Sequence, residues 1–139
     1  MLEPIKRFRV LVFDPDGEVE KLVTDILTEA PCDVARAQPS DSLHETFTYH
    51  FPFDAVVMNV TQRTGHFLDM IPAIRKVSPK AEIFVLSRSA DERLWLDVLD
   101  RGAHELFIVP PDRAEFLGAF HQAIQAQKAD EAMRPADAA

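Results

Sequence analysis

The sequence predicts a doubly wound α/β domain, (βα)5, with a five-stranded parallel sheet covered by helices on both faces. Three observations predict it. Five short runs rich in Val, Ile, Leu and Phe recur along 139 residues, separated by segments with helical spacing or helix-opening residues. The runs are nearly continuous in apolar residues, as strands buried on both faces must be. The length suits one domain, and no internal repeat or linker divides it.

The first strand is Phe8-Arg9-Val10-Leu11-Val12-Phe13, closed by the turn-like Asp14-Pro15-Asp16-Gly17. Val19, Leu22, Val23, Ile26 and Leu27 then recur at helical spacing, with Asp16 or Gly17 as cap and Pro31 as stop. Cys32 to Ala37 suits a short strand, and Pro39-Ser40-Asp41 opens a helix carrying Leu43 and Phe47. Ala55-Val56-Val57-Met58 reads as a fully buried strand closed by Asn59. Ile71, Ile74 and Val77 mark the next helix, which Pro72 requires either to begin near Met70 or to kink there.

Ile83-Phe84-Val85-Leu86 is the fourth strand, and Asp91 to Arg101 is a helix stopped by Gly102. Leu106-Phe107-Ile108-Val109 is the fifth strand, halted by Pro110-Pro111. Phe116, Leu117, Phe120, Ala123 and Ile124 form the stripe of a last helix. The domain is expected over 1–127, with 128–139, rich in Ala, Asp and Glu, as a frayed tail.

Bulk composition excludes several classes. With 15 Lys and Arg against 23 Asp and Glu, the net charge of −8 argues against nucleic acid or an anionic membrane as direct partner. No apolar run approaches the ~20 residues of a membrane span, and the start lacks the cleavage site of a signal peptide. The single cysteine, Cys32, rules out an intramolecular disulfide framework and reads as a core residue, so a reducing, cytoplasmic setting is expected. His44, His50, His66, His104 and His121 share no ligand spacing, and no catalytic triad order or phosphate-cradling glycine loop is present.

Several stretches in this order resemble the receiver domain of bacterial response regulators, over roughly residues 7 to 126. Val10-Leu11-Val12-Phe13-Asp14 is similar to that family's first strand and acidic end, and Asp54 to Asn59 to its third strand. Val85-Leu86-Ser87 resembles the strand ending in the switch Ser or Thr, Gly102-Ala103 the end of the following helix, and Val109-Pro110 the family's Lys-Pro. The resemblance implies a flavodoxin-like topology and a signalling role in two-component phosphorelay, with no enzyme activity of its own and no resident cofactor.

The departures fall on the acceptor pocket. Asn59 stands where the family carries its phosphoacceptor Asp, and an amide is a poor nucleophile without charge to hold a metal. Pro15 replaces the second metal-binding acid, with Asp16 one residue on, and Val109 replaces the phosphoryl-binding Lys. Leu106 takes the place of the strand-five aromatic; Asp14, Ser87 and Pro110 remain, whereas Arg63 and Phe67 depart in the loop after Asn59. Simpler structural roles compete with these. Asn59 is read as hydrogen-bonded to the next loop, Asp14 and Asp16 as turn and cap residues, and Ser87 as a loop hydroxyl.

The helix over 91–101 carries the positive signal. Leu94, Trp95, Leu96, Val98 and Leu99 cover an arc of roughly 200° at about 100° per residue, wider than the ~100° a core-facing helix needs. Leu94 and Leu96 lie at its edges and Trp95 near its middle, so Trp95 is expected in the core and one Leu in solvent. With Arg101 and Leu106, the surplus suggests an interaction face of this helix, the fifth strand and the last helix, for a protein partner or a homodimer. The reading is a phosphorylation-independent signalling module. An enclosed apolar cavity at the strand ends would favour a small-molecule-sensing pseudo-receiver instead, and a conventional phospho-receiver is the third reading.

Overall fold

Successive side chains of a strand point to opposite sides of a sheet, and here both sides are apolar. The computed structural model of the chain describes residues 8–14, 17, 19–36, 53–60, 67–88 and 92–133. Its strands are β1 (Phe8–Phe13), β2 (Cys32–Arg36), β3 (Ala55–Val60), β4 (Glu82–Ser87) and β5 (Glu105–Ile108). The helices among the described residues are α1 (Glu20–Leu27), α2 (Phe67–Val77), α3 (Glu92–Asp100) and α4 (Arg113–Met133). The expected helix with Leu43 and Phe47 lies outside the described residues, as do Pro15, Asp16, Arg63, His44, His50 and His66.

Every strand pair is parallel, in one sheet of order β2-β1-β3-β4-β5. This is the flavodoxin-like order, as expected. Its direction of winding reverses between β1 and β3, so the crevice that such sheets use for function opens at the carboxyl ends of those two strands.

The two faces bury separate cores. On one, Val10 and Val12, Ala55 and Val57, Phe84 and Leu86, and Phe107 pack with Val23, Ile26 and Leu27 of α1 and with Phe116, Phe120, Ala123 and Ile124 of α4. On the other, Leu11, Val56 and Met58, and Ile83 and Val85 pack with Ile71 and Ile74 of α2 and Val98 of α3. The first core is aromatic at its centre: the Phe84 ring stacks on Phe120 at 4.6 Å, and Phe116 lies 5.0 Å from Phe120. Cys32 is buried there as expected, its thiol 3.6 Å from the Leu27 carbonyl.

Some boundaries differ from expectation. Helix α2 begins at Phe67, ahead of Met70, with Pro72 inside it on the exposed side. Helix α4 runs past Lys128 to Met133, where a tail was expected, because its Ala, Gln, Lys and Glu residues are good helix formers. Ser87 is not a loop residue: it ends β4 and is buried, since β4 extends in register with β3 through Val60.

Two arginines tie elements together. Arg75 of α2 donates to the carbonyls of Pro79 (3.0 Å), Ala81 and Gly102 (2.6 Å), joining the entrance of β4 to the turn after α3. Arg113 bridges α4 to Glu29 and Asp25 on the α1 side, and its hydrogen bond to Glu29 holds the guanidinium above its ordinary pKa. That bridge is exposed and adds little stability.

The stacked Phe84–Phe120 pair predicts the most sensitive core position. Phe120→Ala should cost about 3–5 kcal/mol of unfolding free energy, measured by urea denaturation. A loss below about 1 kcal/mol would mean that α4 does not seal this core.

Candidate functional site

The crevice at the ends of β1 and β3 is built around Asp14, the residue that follows β1. Its Oδ2 accepts from the backbone N–H of Val19 (2.7 Å) and of Glu20 (2.8 Å) at the start of α1. The first N–H groups of a helix have no intrahelical acceptor, so a carboxylate here satisfies two of them and sits at the positive end of the helix dipole. Gly17 makes the approach possible: at φ +67 it turns the chain, and its N–H donates to the Asp14 carbonyl at 3.1 Å. Among the described residues the capping role falls to Asp14, one of the turn and cap aspartates expected from the sequence.

The other oxygen of Asp14 faces Asn59. Asn59 Nδ2 donates to Asp14 Oδ1 at 2.9 Å, and both side chains are 5% exposed. A carboxylate offers only acceptors, so the edge of the amide that meets it must be the NH₂. The expected bond from Asn59 to the following loop lies outside the described residues. The parallel register aligns Val10 with Ala55 and Phe13 with Met58, which brings the residues just beyond, Asp14 and Asn59, side by side across 45 positions of sequence.

Ser87 is buried one strand away, in register with Val60, the neighbour of Asn59. Val109, half-buried, packs against the α1-side core, and its N–H donates to the Ser87 carbonyl at 2.8 Å; the Val109–Pro110 peptide is cis. Pro15 and Asp16 lie outside the described residues, so the structure brings together Asp14 and Asn59, with Ser87 and Val109 on the adjoining strand ends. Among the described residues, no three His, Cys, Asp or Glu side chains converge as metal ligands. His104 pairs with Glu82 at 2.9 Å, at the opposite end of β4, rather than with the crevice.

The second sequence-derived site is the surface of α3 and β5. Val98 is fully buried, while Leu94, Leu99 and Leu106 are half-buried against the second core. Trp95 is 41% exposed and Leu96 55%, with Arg101 exposed at the end of the helix. Trp95 is therefore not a core residue: the helix turns the side of Val98 and Leu94 inward, and the surplus arc lies in solvent. Ile108, 49% exposed, was missed in the sequence. By strand alternation it shares the face of Leu106, and it is uncovered because β5 is the sheet's edge.

No protein-family model matches the chain. It is 26% identical over 108 residues to the chemotaxis protein CheY of Bacillus subtilis (strain 168), covering 77% of this chain and 88% of that protein. Among solved structures it resembles a response regulator from Thermotoga maritima, with a TM-score of 0.74, 23% identity, and coverage of 86% of this chain and 99% of the other. It also resembles CheX-CheY-BeF3-Mg²⁺ from Borrelia burgdorferi, a complex, with a TM-score of 0.68, 24% identity and coverage of 86% and 87%. No helix among the described residues is long and apolar enough to cross a membrane.

The Asp14–Asn59 contact makes a signed prediction. Asn59→Asp would set a second carboxylate against Asp14, raising the folded-state pKa of the pair above the roughly 3.9 of unfolded aspartate. With the folded pKa raised, stability is retained below the unfolded value and lost as pH rises through the folded one. The variant should match the parent near pH 4 and fall about 1–3 kcal/mol below it at pH 7, in denaturant titrations at the two pH values. A deficit that does not change with pH would contradict the contact.

Proposed function

We propose that this CheY-like receiver domain is a phosphorylation-independent signalling module, acting by protein–protein contact in a two-component-like pathway. The observation that carries the reading is the hydrogen bond from the Asn59 amide to Asp14. A phosphoacceptor must be a nucleophile with charge, and Asn59 is a neutral amide whose donor edge is turned to the one described carboxylate of the crevice. A hard divalent cation needs oxygen ligands. Here Asp14 is the one described carboxylate of the crevice, and its oxygens already accept N–H groups from Val19, Glu20 and Asn59, so the described residues offer such an ion a poor ligand set. Val109 offers no positive charge to a phosphoryl group. A domain held in one arrangement by an internal donor needs a surface that is always competent.

That surface, in this reading, is the edge formed by α3, β5 and α4, with Leu94, Trp95, Leu96, Arg101 and Leu106 as the residues expected to contact a protein partner or a second copy. Two large apolar side chains exposed on one helix and a third on the adjacent strand support it, since isolated domains usually bury such groups. The CheY of the Borrelia burgdorferi structure is itself in a complex with CheX, which supports a protein as the partner class.

Two experiments test the reading. Incubation with acetyl phosphate and Mg²⁺ should leave the intact mass unchanged, and a gain of one phosphoryl group would overturn phosphorylation independence. Leu96→Glu should abolish self-association or partner capture while leaving the melting temperature nearly unchanged, since Leu96 is more than half exposed. A folded variant that still binds would move the contact elsewhere.

A further inference from the structure

Between the edge strand β5 and α4 runs an open groove of about 440 Å³, lined by Glu105, Leu106, Phe107, Glu115, Gly118 and Gln122 among others. We propose that this groove receives an arginine of a protein partner, flanked by apolar residues, with the guanidinium held between Glu105 and Glu115. The inference rests on the reading that this edge of the sheet carries the partner, and it names the partner's chemistry.

Three features point to it. The lining offers two carboxylates and an amide beside the apolar wall of Phe107, and among the described residues it includes no cation. A planar guanidinium on an alkyl stem matches that combination of bidentate acceptors and apolar wall. Glu105 is already anchored, its Oε1 accepting from the Leu106 N–H at 3.2 Å, so less side-chain freedom is lost when a cation binds.

Gly118 is the third. It lies inside α4, where glycine is the least favourable residue after proline. No positive φ requires it, and a Cβ there would meet nothing within 4 Å. Packing therefore gives no reason for glycine at this position. Its effect is to leave the wall of the groove open. A partner chain running beside β5, which has a neighbour on one side only, would pass over this opening.

The test uses the full chain, ¹⁵N-labelled, titrated with acetyl-Leu-Arg-Leu-amide and with the same peptide carrying Gln or Glu at its centre. The arginine peptide should shift the amides of Leu106, Phe107 and Gly118 saturably, binding about tenfold or more tightly than the glutamine peptide. The glutamate peptide should bind more weakly still. Glu105→Gln with Glu115→Gln should remove the preference for arginine, and Gly118→Leu should block all three peptides. Gly118→Ala should raise the melting temperature, which shows that the position tolerates a side chain and that the Leu variant acts by filling the groove. Equal binding of the three peptides, shifts centred elsewhere, or insensitivity to these substitutions would overturn the proposal. If the arginine peptide fails while Leu96-dependent capture persists, only this proposal falls. A phosphoryl gain from acetyl phosphate would sink only the preceding one.

Discussion

Asp14 holds two demands at once, and the rest of the crevice follows from how it meets them. One oxygen accepts the first free N–H groups of α1, fixing where that helix starts and how it lies on the sheet. The other accepts the amide of Asn59 at the end of β3. A buried carboxylate is costly unless its lone pairs are satisfied, and here each oxygen is. The side chain thereby links β1, α1 and β3 at the point where the sheet's winding reverses. Gly17 supplies the turn that lets the chain return to its own carboxylate.

The amide at position 59 is consistent with that arrangement in a way an acid is not. Among the described residues a neutral donor complements Asp14 at this point. The two cores below it are packed independently of this choice: the phenylalanine cluster under α1 and α4, and the largely aliphatic layer under α2 and α3, bury their strands whichever residue stands at position 59. The scaffold and the chemistry at its rim are thus separable. That is consistent with a shared fold at 26% identity to a CheY.

The opposite constraint operates at the sheet's edge. A strand with one neighbour cannot be covered on all sides by the fold, and β5 leaves Ile108 in solvent, as α3 leaves Trp95 and Leu96. On its other flank the groove beside Glu105 and Glu115 meets α4 at an unneeded glycine. Apolar exposure on one side and anchored acid on the other give this edge two different chemistries.

The sheet was legible in the sequence because burial on both faces forces continuous apolar runs, and each of the five expected runs falls within or against an observed strand. The strand order followed from parallel pairing and the family resemblance. The identity of Asn59, Val109 and Leu106 was equally plain, since side-chain chemistry is local. What Asn59 bonds to was not. That depends on the register of β1 against β3, which joins residues 45 positions apart and leaves no local trace. Trp95 was assigned inward because an arc on a helical wheel gives the width of an apolar face but not its direction. Only packing against β5 and the second core decides which part of that arc meets water.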